Sequence, residues 1–200
     1  MYKLLIILFG LFLFTGCEEV SEDEYQVLNY EPVLNNSVYL DYVIDGDTLM
    51  FYTLGSVRLQ GIDTPERSSY FSIEDNIDQQ NENSRLKEQA NECTSGDINI
   101  IMNMGELSTR YVLDKIGTYT YYFDVIDMGT DYYGRMLGIV KILNSGSLNK
   151  SLVRDGYAYP FMDNEDIYAE DLIFAKNNNR GLWSSYPEEM ECLSLFYGNR

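Results

Sequence analysis

The sequence predicts an α+β fold, a small β-barrel with helices packed against it. The order of the predicted elements indicates this class: strands come first, then a helix, further strands, and two helices at the end. Aromatic residues make up 14% of the chain and include 18 tyrosines, and aromatic and β-branched residues favour strands. The 200 residues, 45% of them hydrophobic, suffice for one domain with a core and additional tails.

The first half of the domain is predicted to contain three strands, a loop, a helix and a further strand. Residues 37–54 partly alternate between apolar and polar, and a Gly-Asp pair inside them supplies turn chemistry, so they predict two strands around a turn. Residues 55–62 predict a third strand. The polar segment 67–83 is typical of a mobile loop. Residues 81–93 predict an amphipathic helix, and the run INIIM at 98–102 predicts a strand.

The second half is predicted to contain a hairpin and two helices. Residues 117–129 alternate as a strand does, and residues 135–143 form a further strand. Residues 147–156 predict a short helix that ends at Gly156, because glycine is a suitable C′ residue. The segment 163–181 predicts the second helix. Its expected N-cap is Asp163, its expected stop is Gly181, and its expected inward-facing residues are Ile167, Leu172 and Ala175.

The first residues of the chain predict export. One lysine is followed by an apolar run from Leu4 to Phe14, which is too short to span a bilayer but suits the core of a signal peptide. Thr15 and Gly16 then precede Cys17, an order that resembles the lipobox of bacterial lipoproteins. In such proteins a diacylglycerol is attached to the cysteine sulfur and the chain is cut before it. A plain signal peptide with an incidental cysteine is the alternative.

This interpretation divides the chain into four parts. Residues 1–16 are a lipoprotein signal peptide, and residues 17–36 contain the lipidated Cys17 and an acidic tether that holds the domain off the membrane. Residues 37–190 form the folded domain, and residues 191–200 form a C-terminal tail. We expect an exported monomer, anchored by its lipid on the periplasmic or cell-surface side of a membrane, with no protein partner.

The cysteine and histidine content limits the chemistry. Cys93 and Cys192 remain beside the N-terminal cysteine, and such a pair in an exported protein predicts a disulfide, with two separate thiols as the alternative. The chain has no histidine, which excludes Ser-His and Cys-His nucleophiles, His-ligated zinc and a histidine general acid. Catalysis would therefore use carboxylates, arginine, lysine, tyrosine or a hard metal ion.

Three short segments together suggest a site: VIDGDT at 43–48, VRLQGIDTPE at 57–66 and DYYGR at 131–135. Each alone is more often a turn or loop. Together they supply what phosphodiester hydrolysis needs, because charge that builds on the phosphate oxygens must be met by cations already in place. A hard ion such as Ca²⁺ takes oxygen ligands, and a carboxylate can act on water. The candidates are Asp47 and Asp63 as ligands, Glu66 as base, and Arg58 and Arg135 as a phosphate clamp.

These segments, together with LNKSLVRDGYA at 148–158 and RGLW at 180–183, resemble the thermonuclease (staphylococcal nuclease-like) family in residue type and in order. The resemblance is specific because five segments agree, from about Val43 to Ser184. It implies a five-stranded OB-fold barrel with about three helices. It also implies a Ca²⁺-dependent nuclease that hydrolyses DNA and RNA, cuts the 5′ P–O bond and leaves 3′-phosphates.

The resemblance also implies a role for each candidate residue. The metal ligands would be Asp47 and Asp63 through their carboxylates and Thr64 through its backbone carbonyl. The catalytic residues would be Arg58 and Arg135, which would grip the phosphate, and Glu66, which would act on the attacking water. Asp45 is close by but is not a direct ligand in the family, and Asn149 and Trp183 are expected to support the fold.

The net charge of −18 argues against a function that requires binding to nucleic acid. Nucleic-acid binders are usually basic, and a strongly acidic domain repels a polyanion at long range. Because the Debye length is roughly 8–10 Å at physiological salt, a local site of arginine and Ca²⁺ can still act at contact. We therefore expect weak substrate binding and a need for millimolar Ca²⁺. Two alternatives stay open: a catalytically inactive OB-fold binding lipoprotein, and a structural lipoprotein in which the motifs are turns by chance.

Overall fold

The computed structural model describes residues 37–67, 76–117, 122–142, 146–162 and 164–198. The predicted signal peptide, the predicted lipidated Cys17 and the acidic tether lie outside these ranges and stay predictions. Within the described ranges, none of the helices has the length and apolar character that crossing a bilayer requires.

Five strands close into a barrel. The strands β1 (Val38–Val43), β2 (Thr48–Phe51) and β3 (Gly55–Leu59) follow one another antiparallel, and β5 (Tyr122–Thr130) pairs with β6 (Met136–Ile142) in a hairpin. The sheet closes on itself because β1 pairs antiparallel with β5 and β3 pairs parallel with β6. This is the arrangement of an OB-fold, so the predicted α+β class and five-stranded barrel are confirmed.

Three short strands lie outside the five-stranded barrel. β7 (Gly146–Ser147) pairs with the end of β6. β4 (Ile62–Asp63) and β8 (Tyr159–Pro160) form a separate two-stranded sheet, in which Asp63 is the register partner of Tyr159. This small sheet brings the segment that follows β3 against the segment that follows the short helix predicted at 147–156.

The described residues contain six helical segments, where the resemblance had implied about three. They are α1 (Asn76–Cys93), α2 (Ile98–Ile116), α3 (Leu148–Arg154), α4 (Glu165–Asn177), α5 (Leu182–Ser185) and α6 (Pro187–Gly198). The predicted short helix at 147–156 corresponds to α3, whose N-cap Ser147 accepts a hydrogen bond from the backbone N–H of Lys150 at 3.1 Å. The predicted helix at 81–93 corresponds to α1, which begins five residues earlier, inside the segment expected to be a loop.

The predicted strand at 98–102 is wrong, because these residues form the first turns of α2. Asp97 caps this helix by accepting a hydrogen bond from the backbone N–H of Asn99 at 2.9 Å. The buried residues of the helix recur at the helical spacing of three or four: Ile101, Met104, Gly105, Ser108, Thr109 and Val112. The β-branched isoleucines favoured a strand locally, but packing along the whole segment selects the helix.

Two expectations for α4 are wrong and two hold. Ile167 is 67% exposed, because the buried face of the helix is set by Tyr168, Asp171 and Ala175 instead. Ala175 is fully buried and Leu172 is half-buried, as expected. The helix ends at Asn177, so Gly181 is not its stop but the residue that precedes α5. Asp163 lies outside the described residues.

Residues 191–198, expected as part of a tail, form most of the last helix. α6 buries Met190, Leu193 and Tyr197 in a second hydrophobic cluster, separate from the one that fills the barrel. This second cluster also contains residues of α1 and α2. Cys192 of this helix is joined in a disulfide to Cys93 at the end of α1, with the Cα atoms 5.6 Å apart. The last helix therefore packs beside α1, which contributes directly to the site described next.

Candidate active site

Two of the three motifs meet at one end of the barrel. Asp47 directly precedes β2, and Arg58 is paired with Thr48 across β2 and β3. After β3 the chain turns at Gly61 and presents Asp63 in β4. The turn before β2 and the segment after β3 thus bring Asp47, Arg58 and Asp63 together from positions up to 16 residues apart.

Arg58 lies between the two aspartates. Its Nη1 donates a hydrogen bond to Oδ1 of Asp47 at 2.5 Å, and its Nη2 donates to Oδ1 of Asp63 at 2.5 Å. All three side chains are buried, with Asp63 fully so. Burial opposes the charge of the guanidinium, but the two carboxylates raise the pKa of Arg58, so it is a permanent cation.

The second carboxylate oxygen of Asp47 is occupied by Thr64. Both the backbone N–H and the hydroxyl of Thr64 donate to Oδ2 of Asp47, at 2.9 and 3.1 Å. The Thr48 hydroxyl donates to Oδ1 at 3.0 Å. Burial alone would raise the pKa of Asp47, but Arg58 and Arg85, together with these hydrogen bonds, hold it below its ordinary value. Asp47 is therefore an ionised, fully bonded carboxylate.

A further arginine, Arg85 of α1, belongs to the same cluster. Its Nη2 donates a hydrogen bond to Oδ2 of Asp63, which also accepts one from the Tyr159 hydroxyl at 2.8 Å. Its Nε lies 3.1 Å from Oε1 of Glu66. Sequence reasoning missed Arg85 because it lies in a polar helix outside every motif. Its position in the cluster depends on how α1 packs.

Glu66 follows the turn at Pro65 and is held through its backbone. Its N–H donates to Oε1 of the buried Gln89 at 2.8 Å. Burial raises the pKa of the Glu66 carboxyl well above its ordinary value, against the opposing effect of Arg85. A carboxyl group with a raised pKa is suited to proton transfer near neutral pH.

Two glycines allow the site segments to approach α2 closely. A Cβ atom on Gly105 would lie 2.5 Å from the backbone oxygen of Glu66 and 2.6 Å from that of Pro65. A Cβ atom on Gly46 would lie 2.8 Å from the Cβ of Ser108. All three distances are shorter than real Cβ contacts, so the missing side chains let α2 lie directly against the two site segments.

Aromatic rings pack against the two arginines of the cluster. The ring centroid of Phe161 lies 5.7 Å from the guanidinium carbon of Arg58 and 5.5 Å from that of Arg85. The ring of Tyr197 in α6 lies 5.1 Å from the guanidinium carbon of Arg85. These distances are in the range of cation–π interactions, which help to hold a guanidinium in one orientation.

Arg135, the third predicted catalytic residue, has different partners. It directly precedes β6, and its Nε donates to Oδ2 of Asp131 at 2.7 Å. Its guanidinium carbon lies 5.7 Å from the Tyr133 ring, and 35% of its side chain is exposed. Its contacts within the described part of the chain are with its own hairpin, so the structure brings Arg58 and Glu66 into the cluster but not Arg135.

Asn149 has the fold-supporting role that was expected. Its Nδ2 donates to the backbone oxygens of Gln60 and Gly138, both at 3.1 Å. Its Oδ1 accepts from the backbone N–H of Val140 at 3.1 Å. Asn149 therefore ties α3 to the segment that leaves β3. Trp183 is buried in the second hydrophobic cluster.

The predicted calcium ligands are of the right chemical type, because Ca²⁺ prefers carboxylate and carbonyl oxygens. In this arrangement, however, all four carboxylate oxygens of Asp47 and Asp63 already accept hydrogen bonds. Within the described ranges no group of three or more acidic, histidine or cysteine side chains is placed to hold a metal ion. The cluster as it stands therefore does not fit a calcium ion.

Comparisons with known proteins agree with the sequence motifs. A family model described as staphylococcal nuclease homologue matches residues 56–185. The chain is also 24% identical over 161 residues to a protein of Bacillus subtilis (strain 168) named endonuclease YhcR. The similarity covers 76% of this chain but only 12% of that protein. The range matched by the family model, 56–185, includes Arg58, Asp63, Glu66 and Arg85, whereas Asp47 precedes it.

Proposed function

The chain belongs to the family of staphylococcal nuclease homologues, and we propose that it is a phosphodiesterase that cuts DNA and RNA and leaves 3′-phosphates. The observation that supports this most directly is the cluster at the end of the barrel. Residues of two separate motifs, Asp47 in one and Arg58, Asp63 and Glu66 in the other, meet there in a defined network of hydrogen bonds and ion pairs.

The chemistry uses groups that the chain itself supplies. In hydrolysis the oxygen of water forms a bond to phosphorus, the bond to the 5′ oxygen breaks, and the leaving oxygen takes a proton from solvent. Glu66, whose pKa is raised by burial, accepts the proton of the attacking water. Arg58 supplies fixed positive charge beside the site, and Arg135 is proposed to turn from Asp131 toward the phosphate once substrate is present.

A calcium requirement belongs to the same proposal. Nucleases of this family are generally Ca²⁺-dependent, and the resemblance implies Asp47, Asp63 and the Thr64 carbonyl as the ligands. Because their carboxylate oxygens are engaged by Arg58, Arg85 and Thr64 in this arrangement, we assign no step of the reaction to the metal.

We further propose that the protein acts outside the cytoplasm as a membrane-anchored lipoprotein. The N-terminal sequence is the primary support, since its apolar run ends at Cys17. The bond between Cys93 and Cys192 agrees with this location, because disulfides persist in oxidising compartments. Intact-mass analysis of the protein from bacterial membranes tests it: a diacylated chain beginning at Cys17 is expected, and an unmodified chain that retains residues 1–16 would contradict it.

The nuclease proposal is tested with the purified full-length chain. Single-stranded DNA and RNA are incubated with it in Ca²⁺, in Mg²⁺ and in chelator, and the product ends are analysed. We expect cleavage in Ca²⁺, none in chelator, and 3′-phosphate ends. A folded protein that binds nucleic acid without cutting it would instead favour the inactive binding module.

Two matched variants assign the activity to the cluster. Glu66→Gln removes the proposed base and should lower the rate by roughly 10²–10³, a range typical of a lost catalytic group. Glu106→Gln changes an exposed glutamate of α2 and should leave the rate unchanged. Equal rates for both variants would mean that Glu66 is not the base.

A further inference from the structure

The last helix, α6, lies outside the part of the chain that the family model matches, and it still contacts the cluster. The match ends at residue 185, whereas α6 begins at Pro187. Tyr197 of this helix is only 2% exposed, because it packs against residues that surround the cluster. The family pattern does not include α6, and the proposed reaction gives it no role.

Tyr197 contacts the surroundings of the cluster at three points. Its ring centroid lies 5.1 Å from the guanidinium carbon of Arg85. It also lies 6.3 Å from the ring centroid of Tyr159, and the two rings are stacked. The Tyr197 hydroxyl donates a hydrogen bond to Oε2 of Glu88 at 3.1 Å, so the same side chain also contacts α1 one turn after Arg85.

These contacts connect Tyr197 with the groups of the proposed reaction. Nε of Arg85 lies 3.1 Å from Oε1 of Glu66, the proposed base, and the Tyr159 hydroxyl donates to Oδ2 of Asp63 at 2.8 Å. An arginine side chain has many rotamers, so its position depends on the groups that pack around it. Loss of the Tyr197 ring would release Arg85 on one side and disturb Glu66 beside it. Tyr197 is thus placed to act as a positioning residue through Arg85.

The disulfide fixes the helix that contains Tyr197. Cys93 ends α1 eight residues after Arg85, and Cys192 precedes Tyr197 by five residues in α6. The two helices are therefore antiparallel, with the covalent bond at one place and the contact between Tyr197 and Arg85 at another. α6 has 12 residues, and an isolated helix of this length is marginal in water. Its position consequently depends on the contacts that anchor it.

The disulfide is accessible to a reductant. Both cysteines are partly exposed, and Cys192 lines an open groove of about 610 Å³ together with Trp183 and Leu195. Exposed disulfides are reduced more readily than buried ones. Among the described residues, the hydrophobic cluster that fills the barrel includes none from α6. The barrel can therefore stay folded when this helix is released.

We propose that the disulfide and Tyr197 form a redox-operated latch on the candidate active site. In the oxidised chain the bond holds α6 against α1, and the Tyr197 ring holds Arg85 beside Glu66. When the bond is reduced, α6 detaches, Arg85 loses this contact, and cleavage slows. This inference rests on the proposed function, because the latch regulates the same site.

The reductant is a dithiol, and the exchange balances. Its first thiolate attacks one sulfur of the Cys93–Cys192 bond, and the other sulfur leaves as a thiolate. Its second thiolate then displaces the mixed disulfide. The reductant ends as a disulfide, and two electrons and two protons have passed to the protein, which now has two cysteine thiols.

The first test uses NMR and needs no substrate. The Nε–H signal of Arg85, assigned by its loss in Arg85→Met, is recorded for the full-length chain before and after dithiothreitol, together with amide hydrogen exchange. On reduction we expect the Arg85 signal to shift and that of Arg110 to stay. The amides of α6 should exchange at least about tenfold faster, and those of β2 and β3 should change by less than about twofold.

Two outcomes of this experiment would overturn the proposal. An unmoved Arg85 signal in the fully reduced chain would mean that the bond does not act on the cluster. Loss of protection throughout the barrel would mean that the bond holds the whole fold and is not a latch.

The second test compares cleavage by four full-length variants. Tyr197→Leu removes the ring and keeps the disulfide, whereas Tyr197→Phe keeps the ring. Cys93→Ser combined with Cys192→Ser removes the bond. Leu195→Ala, at a position of α6 that is 56% exposed, is the matched control. Circular dichroism and thermal melting verify that each variant is folded.

Without reductant, kcat for single-stranded DNA should fall by roughly 10–100-fold in Tyr197→Leu and in the double serine variant, because a misplaced catalytic group slows the chemical step. KM should stay within about threefold, since substrate binding is not the affected step. Tyr197→Phe and Leu195→Ala should stay within about threefold in both constants. An equal loss in Tyr197→Phe would overturn the proposal, since the ring would not be the cause.

Reduction and the loss of the ring should not add. Dithiothreitol should slow the natural chain by the same factor as Tyr197→Leu and should leave Tyr197→Leu and the double serine variant unchanged. A natural chain that keeps its full rate when reduced would overturn the proposal. A further loss on reduction of Tyr197→Leu would also overturn it, because the bond would then act by another route.

The two proposals fail in different ways. If the natural chain cuts no nucleic acid but reduction shifts the Arg85 signal and releases α6, the nuclease function is wrong and the latch stands. If the natural chain cuts nucleic acid equally fast before and after reduction, the latch alone is wrong.

Discussion

Arg58 and Arg135 share a predicted role but differ in their surroundings. Arg58 is buried between Asp47 and Asp63, so it neutralises two carboxylates that would otherwise be buried without a partner. Arg135 is partly exposed and pairs with Asp131 of its own hairpin. Removing Arg58 therefore affects the fold as well as the chemistry, whereas removing Arg135 tests the chemistry alone.

Replacing each arginine with alanine separates the two cases. Arg58→Ala should lower the free energy of unfolding by about 3–5 kcal/mol, the typical cost of leaving a buried charge unpaired. Arg135→Ala should lower it by no more than about 1 kcal/mol, since its ion pair is near the surface. Urea denaturation followed by circular dichroism measures both. Similar losses in the two variants would contradict the difference in burial.

A second charged network surrounds Asp155 and includes residues of the C-terminal half of α2. Its carboxylate accepts hydrogen bonds from the Tyr111 hydroxyl at 2.5 Å, from Lys115 at 3.2 Å and from Arg180 at 3.0 Å. Burial alone would raise the pKa of Asp155, but these donors lower it below its ordinary value of 3.8. The folded state therefore favours the ionised carboxylate.

The lowered pKa predicts a pH dependence of stability. The contribution of Asp155 is fully present above its ordinary pKa and is lost as pH falls through the lower pKa of the folded state. The natural chain should be more stable than Asp155→Asn at about pH 6, by roughly 1–3 kcal/mol, and this difference should shrink toward about pH 2.5. Asp114→Asn, an exposed position on α2, is the control. A difference that does not change with pH would contradict the assignment.

The sequence identified the cluster residues that lie in or beside the strands of the matched motifs. Asp47, Arg58, Asp63 and Glu66 were predictable because their segments occur together and in the order of the thermonuclease family, although each segment alone is more often a turn or loop. Arg85 was not predictable, because it reaches Asp63 only through the packing of α1 against the barrel. A pairing set by tertiary contact leaves no local pattern in a single sequence.

Among the elements, α2 supports the site most directly. Its Gly105 lies against the backbone of Pro65 and Glu66, with no room for a methyl group. Gly105→Ala should gain about 1 kcal/mol of helix propensity but lose more, about 1–3 kcal/mol, through overpacking against backbone atoms that cannot rotate away. Because the added methyl group should displace the backbone of Glu66, the cleavage rate should also fall.

Asn103→Ala is the matched control for this prediction. Asn103 is an exposed position two residues earlier in α2, so alanine there improves helix propensity without a new contact. Thermal melting and cleavage assays of both variants check the result. A stable and fully active Gly105→Ala would show that α2 does not determine the position of Glu66.

Helix boundaries were the weakest part of the sequence prediction, for a physical reason. The five residues 98–102 contain three isoleucines, so a short window favours a strand, while the buried spacing that defines α2 extends over 19 residues. Residues 191–198, most of α6, were assigned to a tail, because their burial depends on packing against α1 and α2. The barrel was predicted better, since its strands are separated by glycine turns that remain visible in short windows.

For the molecule as a whole, the acidic charge predicts an unusual salt dependence. A chain of net charge −18 repels an oligonucleotide, and added monovalent salt screens that repulsion. At fixed Ca²⁺, kcat/KM for a single-stranded oligonucleotide should rise severalfold between about 10 and 150 mM salt. A basic nuclease would show the opposite trend.

A dinucleotide with one phosphodiester is the control substrate, because it carries little charge to be screened. Its kcat/KM should change far less over the same salt range. A steep fall for the oligonucleotide with salt would mean that a local basic surface, rather than the net charge, governs the encounter.

The disulfide bears on the time at which the candidate site is fully assembled during synthesis and export. It joins residues 99 positions apart, and α6, which contains one of its cysteines, also supplies the Tyr197 ring against Arg85. The ribosome therefore releases Asp47, Arg58 and Arg85 long before the residues that hold Arg85 in place. In an exported chain, the bond forms only after the C-terminal helix has crossed the membrane. Under the proposed export, the finished site would first exist outside the cytoplasm.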